Sequence, residues 1–188
     1  MPSARHGFLL FPYVTQLDLT GPAQILSRVP GAKVHLVWKD CEPVMTDVGF
    51  AIQPTTTFGI ADQLTDEATL DFLRRQAAGA RYFTSVCNGA LVLGAAGLLA
   101  GYRSACHWLW RRYLPRFGAT PVAARIVRDR NRISGGGVTA GIDFGLAVAA
   151  ELAGEELART LQLAFEYDHS RPSTAARRKR RVPSASRT

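Results

Sequence analysis

Residues 81–99 read as an apolar strand, a three-residue turn and an apolar helix, with nothing between them. RYFTSV (Arg81 to Val86) is the strand, Cys87-Asn88-Gly89 the turn, and Ala90 to about Leu99 the helix. A strand that feeds straight into a helix belongs to a parallel sheet, because parallel neighbours need a crossover and the crossovers cover both faces. The rest of the chain alternates in the same way. Gly7 to Val14 and Lys33 to Trp38 are apolar enough for strands, and Val44 to Phe58 reads as a hairpin or irregular extended segment. Thr20-Gly21-Pro22 opens a helix, with Thr20 as cap and Pro22 near its first turn, and Pro30-Gly31 closes it. A helix starts at Thr65 and stops at Gly79, and a second amphipathic one is expected over Trp108 to Phe117. Ala123 to Ser134 gives paired strands around Asp129-Arg130-Asn131, and Thr139 to Ala153 and Glu155 to Tyr167 give two more helices. The pattern predicts an α/β fold with a mostly parallel sheet. In such sheets ligands bind beyond the carboxyl ends of the strands, where Cys87 lies.

The charge is unevenly placed. Seven of the 23 Lys and Arg residues lie at or after Arg171, where there is no acid, which leaves 16 basic against 15 acidic residues in the body. The composition predicts a domain over residues 1–171 and a disordered basic tail over 172–188. The nearly neutral body excludes a basic face for specific nucleic-acid binding. The longest apolar stretch, Ala90 to Ala100, is short of the roughly 20 residues that cross a bilayer, so no membrane partner is expected. Cys41, Cys87 and Cys106 form no framework and have no zinc spacing with the four histidines. We expect a reduced, cytoplasmic setting and no metal or other cofactor.

Cys87 stands where a nucleophile elbow would hold it. The sharp strand-to-helix turn projects the side chain above the sheet, and Gly89 leaves room where strand and helix meet. A helix N-terminus aimed at the sulfur lowers a thiol pKa from about 8.5 to roughly 3.5–7.5, and the Asn88 N–H is placed to donate to a developing oxyanion. On these grounds Cys87 is expected to be the most reactive of the three thiols. By spacing alone it reads equally as a small buried apolar residue at a strand end. Cys41 sits in an Asp-Cys-Glu turn, and Cys106 has no elbow around it.

The segment VCNGALVLGAAGLLAGYRSACHW resembles the elbow region of the DJ-1/PfpI superfamily, within the class I glutamine amidotransferase-like fold. QLDLTGPAQIL and SGGGVTAGIDFGLAVA resemble the first-helix and late-helix motifs of its isonitrile hydratase branch, and the likeness runs from about Arg5 to Arg171. The resemblance implies a flavodoxin-like three-layer sandwich and a homodimer, to whose interface Trp108, Trp110 and Tyr113 are candidates. It implies Cys87 as the reactive cysteine, Asp18 as an acid facing it, His107 near the sulfur, and Asn88, Gly89, Gly59 and Ile60 around the substrate. Read without it, Asp18 is a solvated acid at a helix entry and His107 a ring packed on Trp108. Thr139 and Asp143 start a helix and are not expected to be catalytic.

Two departures stand out. The hydratase branch has Thr after the cysteine, where this chain has Asn88. Relatives also place an apolar strand ending in Pro-Gly-Gly where Phe58 here runs directly into Gly59, so one central strand is expected to be missing. Such a loss compares with the whole stability of a domain, about 5–15 kcal/mol. It also removes a loop that supplies the second oxyanion N–H, which predicts impaired turnover. The reading is therefore a cysteine-dependent enzyme on a small molecule, resembling isonitrile hydratase and giving an N-substituted formamide. The alternatives are a non-catalytic sensor domain like those of AraC-type regulators, or a stress-response or glycation-defence protein.

Overall fold

Among the described residues the strands form two three-stranded sheets and two two-stranded pairs. The computed structural model describes residues 4–57 and 66–168. In the first sheet β1 (Arg5–Leu9) pairs with β2 (Lys33–Trp38), and β2 with the short β5 (Thr56–Thr57), all parallel. Between them, β3 (Val44–Met45) and β4 (Ala51–Ile52) make an antiparallel hairpin. In the second sheet β6 (Phe83–Val86) runs parallel to β10 (Arg132–Gly135), and β10 antiparallel to β9 (Ile126–Asp129). A small parallel pair, β7 (Arg103–Ser104) and β8 (Thr120–Pro121), was not evident from the sequence. Helices α1 (Gln16–Leu26), α2 (Asp66–Ala77), α3 (Gly89–Ala95), α4 (Ala140–Ala153) and α5 (Glu155–Ala164) complete the α/β fold.

Among the described residues no strand pairs with the second edge of β1 or of β6. The two strands nonetheless share one layer. Phe8 of β1 and Val86 of β6 pack against the cluster of Ile25, Val29, Ile133, Phe144 and Val148. Leu9 of β1 and Phe83 of β6 pack against the opposite cluster of Leu73, Leu93, Leu99 and Leu114. Residues 58–65, with Gly59 and Ile60, lie outside the described residues, and so does the expected tail over 172–188.

Close approach of α1 and α4 ties the halves together, and it explains two glycines of the late-helix motif. A Cβ on Gly145 would lie 2.9 Å from Ile25 Cβ, and one on Gly141 would lie 3.2 Å from Pro22 Cδ. Gly145→Val is expected to destabilise the fold by roughly 1–3 kcal/mol, because an overpacked core must shift backbone. A thermal melt should show a drop of several degrees, at about 2–4 °C per kcal/mol for a chain of this size.

Three local expectations are corrected. Helix α1 begins at Gln16 and not at Thr20, whose hydroxyl donates to Gln16 Oε1 at 2.9 Å. Pro22 is therefore inside the helix, where it has no N–H to give the Asp18 carbonyl. Helix α3 ends at Ala95, four residues early, because Gly97 turns the chain at φ +77°. The amphipathic helix expected at Trp108 to Phe117 is a 3₁₀ helix over Arg111–Phe117. Pro115 lies within it, and Gly118 at φ +70° ends it.

Candidate active site

Cys87 is held in the left-handed region, at φ +57°, between β6 and α3. A non-glycine residue there is strained, and the surroundings fix it. Its N–H donates to the Gly135 carbonyl at 3.1 Å, and its carbonyl accepts from the His107 N–H at 3.4 Å. The segment carrying His107 is pinned in turn, because the Ala105 N–H donates to Ser134 Oγ on β10 at 2.8 Å. The side chain is 6% exposed. The elbow geometry expected from the sequence is present.

Asp18, in the first turn of α1, meets Cys87 from the carboxyl end of β1. Thiol and carboxyl are within hydrogen-bonding reach, and the thiol's donation favours the carboxylate. Burial outweighs that, and with the charge of Asp47 it pushes the Asp18 pKa up from 3.8 to about 6. Asp47 sits on the β3–β4 hairpin, where its carboxylate accepts from the Gln16 N–H at 3.4 Å. Asp18 Oδ1 is buried and has no partner among the described residues. Asp18 is thus not the solvated acid that its local sequence suggests.

The expected lowering of the Cys87 pKa is overturned. Burial first, then the neighbouring Asp18 charge, push the thiol up to about 12. The Asn88 N–H favours the thiolate but is outweighed by burial and by the Asp18 charge. Cys106 is buried as well, and burial raises its thiol to about 11. Cys41 is exposed. Contrary to the sequence expectation, Cys41 should label first with a bulky thiol reagent at neutral pH. Peptide mapping after timed alkylation checks the order.

The remaining candidates divide. Asn88 is exposed and caps α3 through its backbone, with no side-chain hydrogen bond, and its N–H faces the sulfur. His107 is joined to Cys87 through its backbone; its Nδ1 is buried without a partner among the described residues, and its ring lies 5.8 Å from Trp108. Gly89 is next to the elbow, but a Cβ there would be 3.8 Å from Ser85 Cβ, an ordinary contact. The close approach expected at Gly89 is not present. Asp143 pairs with Arg125, which also donates to the Thr139 carbonyl at 2.8 Å, so these two residues brace the start of α4. Sequence reasoning missed Asp47, because only the folded hairpin brings it to the site. Among the described residues no group of three or more His, Cys, Asp or Glu could hold a metal, and no helix is long and apolar enough to cross a membrane.

Known proteins resemble this chain over most of its length. The model of the DJ-1/PfpI family matches residues 59–151. The isonitrile hydratase of Pseudomonas putida is 50% identical over 205 residues, covering 95% of this chain and 90% of that protein. This chain has 188 residues, so at least 17 aligned positions have no residue here. The crystal structure of a ThiJ/PfpI family protein from Pseudomonas syringae superimposes with a TM-score of 0.85 at 43% identity, covering 93% of this chain and 79% of that one. The HTH-type transcriptional regulator GbdR of Pseudomonas aeruginosa is 28% identical over 88% of this chain, which spans about half of that regulator.

Proposed function

The chain belongs to the DJ-1/PfpI family, and from that premise we propose that it hydrates a small isonitrile to the N-substituted formamide, with Cys87 as nucleophile and Asp18 as its proton partner. The observation that carries this reading is the buried thiol–carboxyl pair at a strained elbow. A thiol near pKa 12 is no standing thiolate, so it needs a base at hand, and a carboxyl near pKa 6 is poised to take and return a proton at neutral pH.

The steps follow from that pair. As sulfur attacks the terminal carbon of R–N≡C, the thiol proton passes to Asp18, and that proton is delivered to the same carbon. The result is a thioimidate, R–N=CH–S–Cys87. Asp18 carboxylate, through Oδ1, takes a proton from water as its oxygen adds to the carbon, and passes that proton to nitrogen. The carbon–sulfur bond then breaks, the thiol regains its proton, and R–NH–CHO leaves. One water is consumed, no electrons are exchanged, and no cofactor is involved. Asn88 N–H stabilises the negative charge on sulfur as it is expelled, His107 borders the site, and Gly59, Ile60 and Gly89 serve substrate binding.

The test is incubation with a simple alkyl isonitrile under proton NMR, reading the formyl proton of the formamide. We expect turnover, slowed on the order of 10²–10³-fold relative to intact relatives by a missing oxyanion donor. Tight isonitrile binding with no formamide would instead favour the sensor reading. We further place the protein in the cytoplasm, supported by three unpaired cysteines, and expect a homodimer. Exposed apolar side chains cluster at Trp108, Leu109 and Trp110, and at Tyr13, Met45, Val48 and Phe50 on the first turn and hairpin. Light scattering at micromolar concentration should give twice the chain mass.

A further inference from the structure

Charge is spread unevenly within the body as well. From Phe72 to Arg128 the chain carries nine arginines and no Asp or Glu. Carboxylates from outside that stretch pair with Arg74, Arg125 and Arg128. Arg111, Arg112 and Arg116 form no ion pair among the described residues. All three lie on the 3₁₀ helix Arg111–Phe117. The turn that leads into it presents three consecutive exposed apolar side chains, with Trp108 at 52%, Leu109 at 41% and Trp110 at 41%.

The backbone fixes this tip in place. The Trp110 and Arg111 N–H groups both donate to the His107 carbonyl at 2.9 Å, and the Tyr113 N–H donates to the Trp110 carbonyl at 2.9 Å. Leu114, fully buried, anchors the helix in the core. The Tyr113 ring gathers charge beside the tip. Its centroid lies 4.9 Å from the Arg112 guanidinium carbon, 5.2 Å from that of Arg116 and 5.9 Å from the Trp110 ring. Apolar tip and guanidinium groups are therefore one surface cluster.

We propose that this cluster binds the surface of an anionic phospholipid bilayer, with Trp108, Leu109 and Trp110 entering the headgroup layer and Arg112 and Arg116 on the lipid phosphates. The contact is peripheral, since no helix among the described residues is long and apolar enough to cross a membrane. Charge and side-chain type select this occupant. In a two-fold contact between copies the same patch faces itself. Arg112 and Arg116 would then meet their own copies with no carboxylate to pair them, which leaves Tyr13, Met45, Val48 and Phe50 to the expected homodimer. A single-stranded nucleic acid would stack bases on the indoles, but Leu109 between them offers no stacking surface. An acidic peptide would pair with the arginines and leave the apolar tip in water. An anionic bilayer takes both parts. Indole rings favour the headgroup level, and each basic residue near the charged surface adds affinity. The proposal does not rest on the hydratase reading.

The test is tryptophan fluorescence of the full chain with vesicles whose acyl chains are brominated near the carbonyl, because bromine quenches only an indole that comes close to the chains. We expect quenching by phosphatidylcholine vesicles that contain phosphatidylglycerol, none by phosphatidylcholine alone, and recovery at high salt. Trp108→Ala with Trp110→Ala should abolish the quenching, with Trp38 left as an unaffected reporter. Arg112→Gln with Arg116→Gln, at exposed positions, should weaken vesicle binding by roughly 10–30-fold. Circular dichroism checks that each variant is folded, and the arginine pair alone decides the matter if the tryptophan pair is not. Cosedimentation with anionic vesicles but no quenching would trace binding to the basic residues after Arg171 and overturn the proposal. So would indoles already shielded from acrylamide in a free dimer, which would assign the cluster to a second copy. Shielding by oligouridylate or by polyglutamate, with no response to vesicles, would assign it to nucleic acid or to an acidic protein and overturn the proposal as well.

Discussion

Cys87→Ala is expected to reduce formamide production by about 10⁴-fold or more, the scale on which removing a covalent nucleophile acts. The fold should survive the change. Alanine keeps the Cβ, so the strain at φ +57° is unaltered, and both backbone hydrogen bonds of residue 87 remain. What is lost is one sulfur at a site 6% exposed, a cavity smaller than a methylene or two, costing roughly 1 kcal/mol. Cys87→Ser should be nearly as inactive, because a hydroxyl is a poorer nucleophile and Asp18 near pKa 6 is too weak a base to activate it. Cys106→Ala should keep most activity, since Cys106 packs into the cluster of Leu93, Leu99 and Leu114 rather than against Asp18. The checks are formyl-proton NMR and a thermal melt on each variant. Formamide production by Cys87→Ala near the native rate would exclude covalent catalysis.

Most of the architecture was legible because it is written locally. KVHLVW is a strand by apolar content and β-branching, and it forms Lys33–Trp38 as read. Asp129-Arg130-Asn131 turns two extended runs, with Arg130 at φ +53° taking the left-handed position. The elbow was legible for the same reason, since strand, Cys-Asn-Gly and helix are contiguous. A missing strand was expected from an abrupt join at Phe58; among the described residues the second edges of β1 and β6 are unpaired. Electrostatics was not legible. Sequence gives the helix N-terminus at Cys87, which pulls the thiol pKa down, but not the burial and the Asp18 charge that push it up to about 12. Asp18 and Asp47 are 29 positions apart and come together only when the hairpin folds over the start of α1. The capping error at Thr20 has a similar origin. Asp47, from outside the local sequence, caps Gln16 and moves the helix start back by four residues.

Asp18→Asn is expected to remove activity and raise stability together. A native pKa raised from 3.8 to about 6 means that the folded protein holds this proton more tightly than the unfolded chain does. Between those values the native state binds more protons, so stability falls as pH rises through the window, and the full cost is present above pH 6. The gap of about two units sets an upper bound on the order of 2–3 kcal/mol, reduced by solvent screening because the carboxyl is only partly buried. Asparagine has the same shape and carries no charge to desolvate or to repel Asp47. At pH 7.5 the variant should melt several degrees above the native chain, and at pH 3.5 the difference should nearly vanish. Activity should move the opposite way in the native protein. The carboxylate is the competent base, so kcat/KM should rise with pH through about 6 and then level off. The amide of the variant cannot accept and return a proton, and kcat should fall by about 10²–10⁴-fold, the range of a positioned acid–base. Paired melts and initial rates across pH 3.5–8 provide the check. A native chain whose stability and rate both rise through pH 6 would mean that Asp18 is solvated or salt-bridged in solution, and the proton partner of Cys87 would have to be another group.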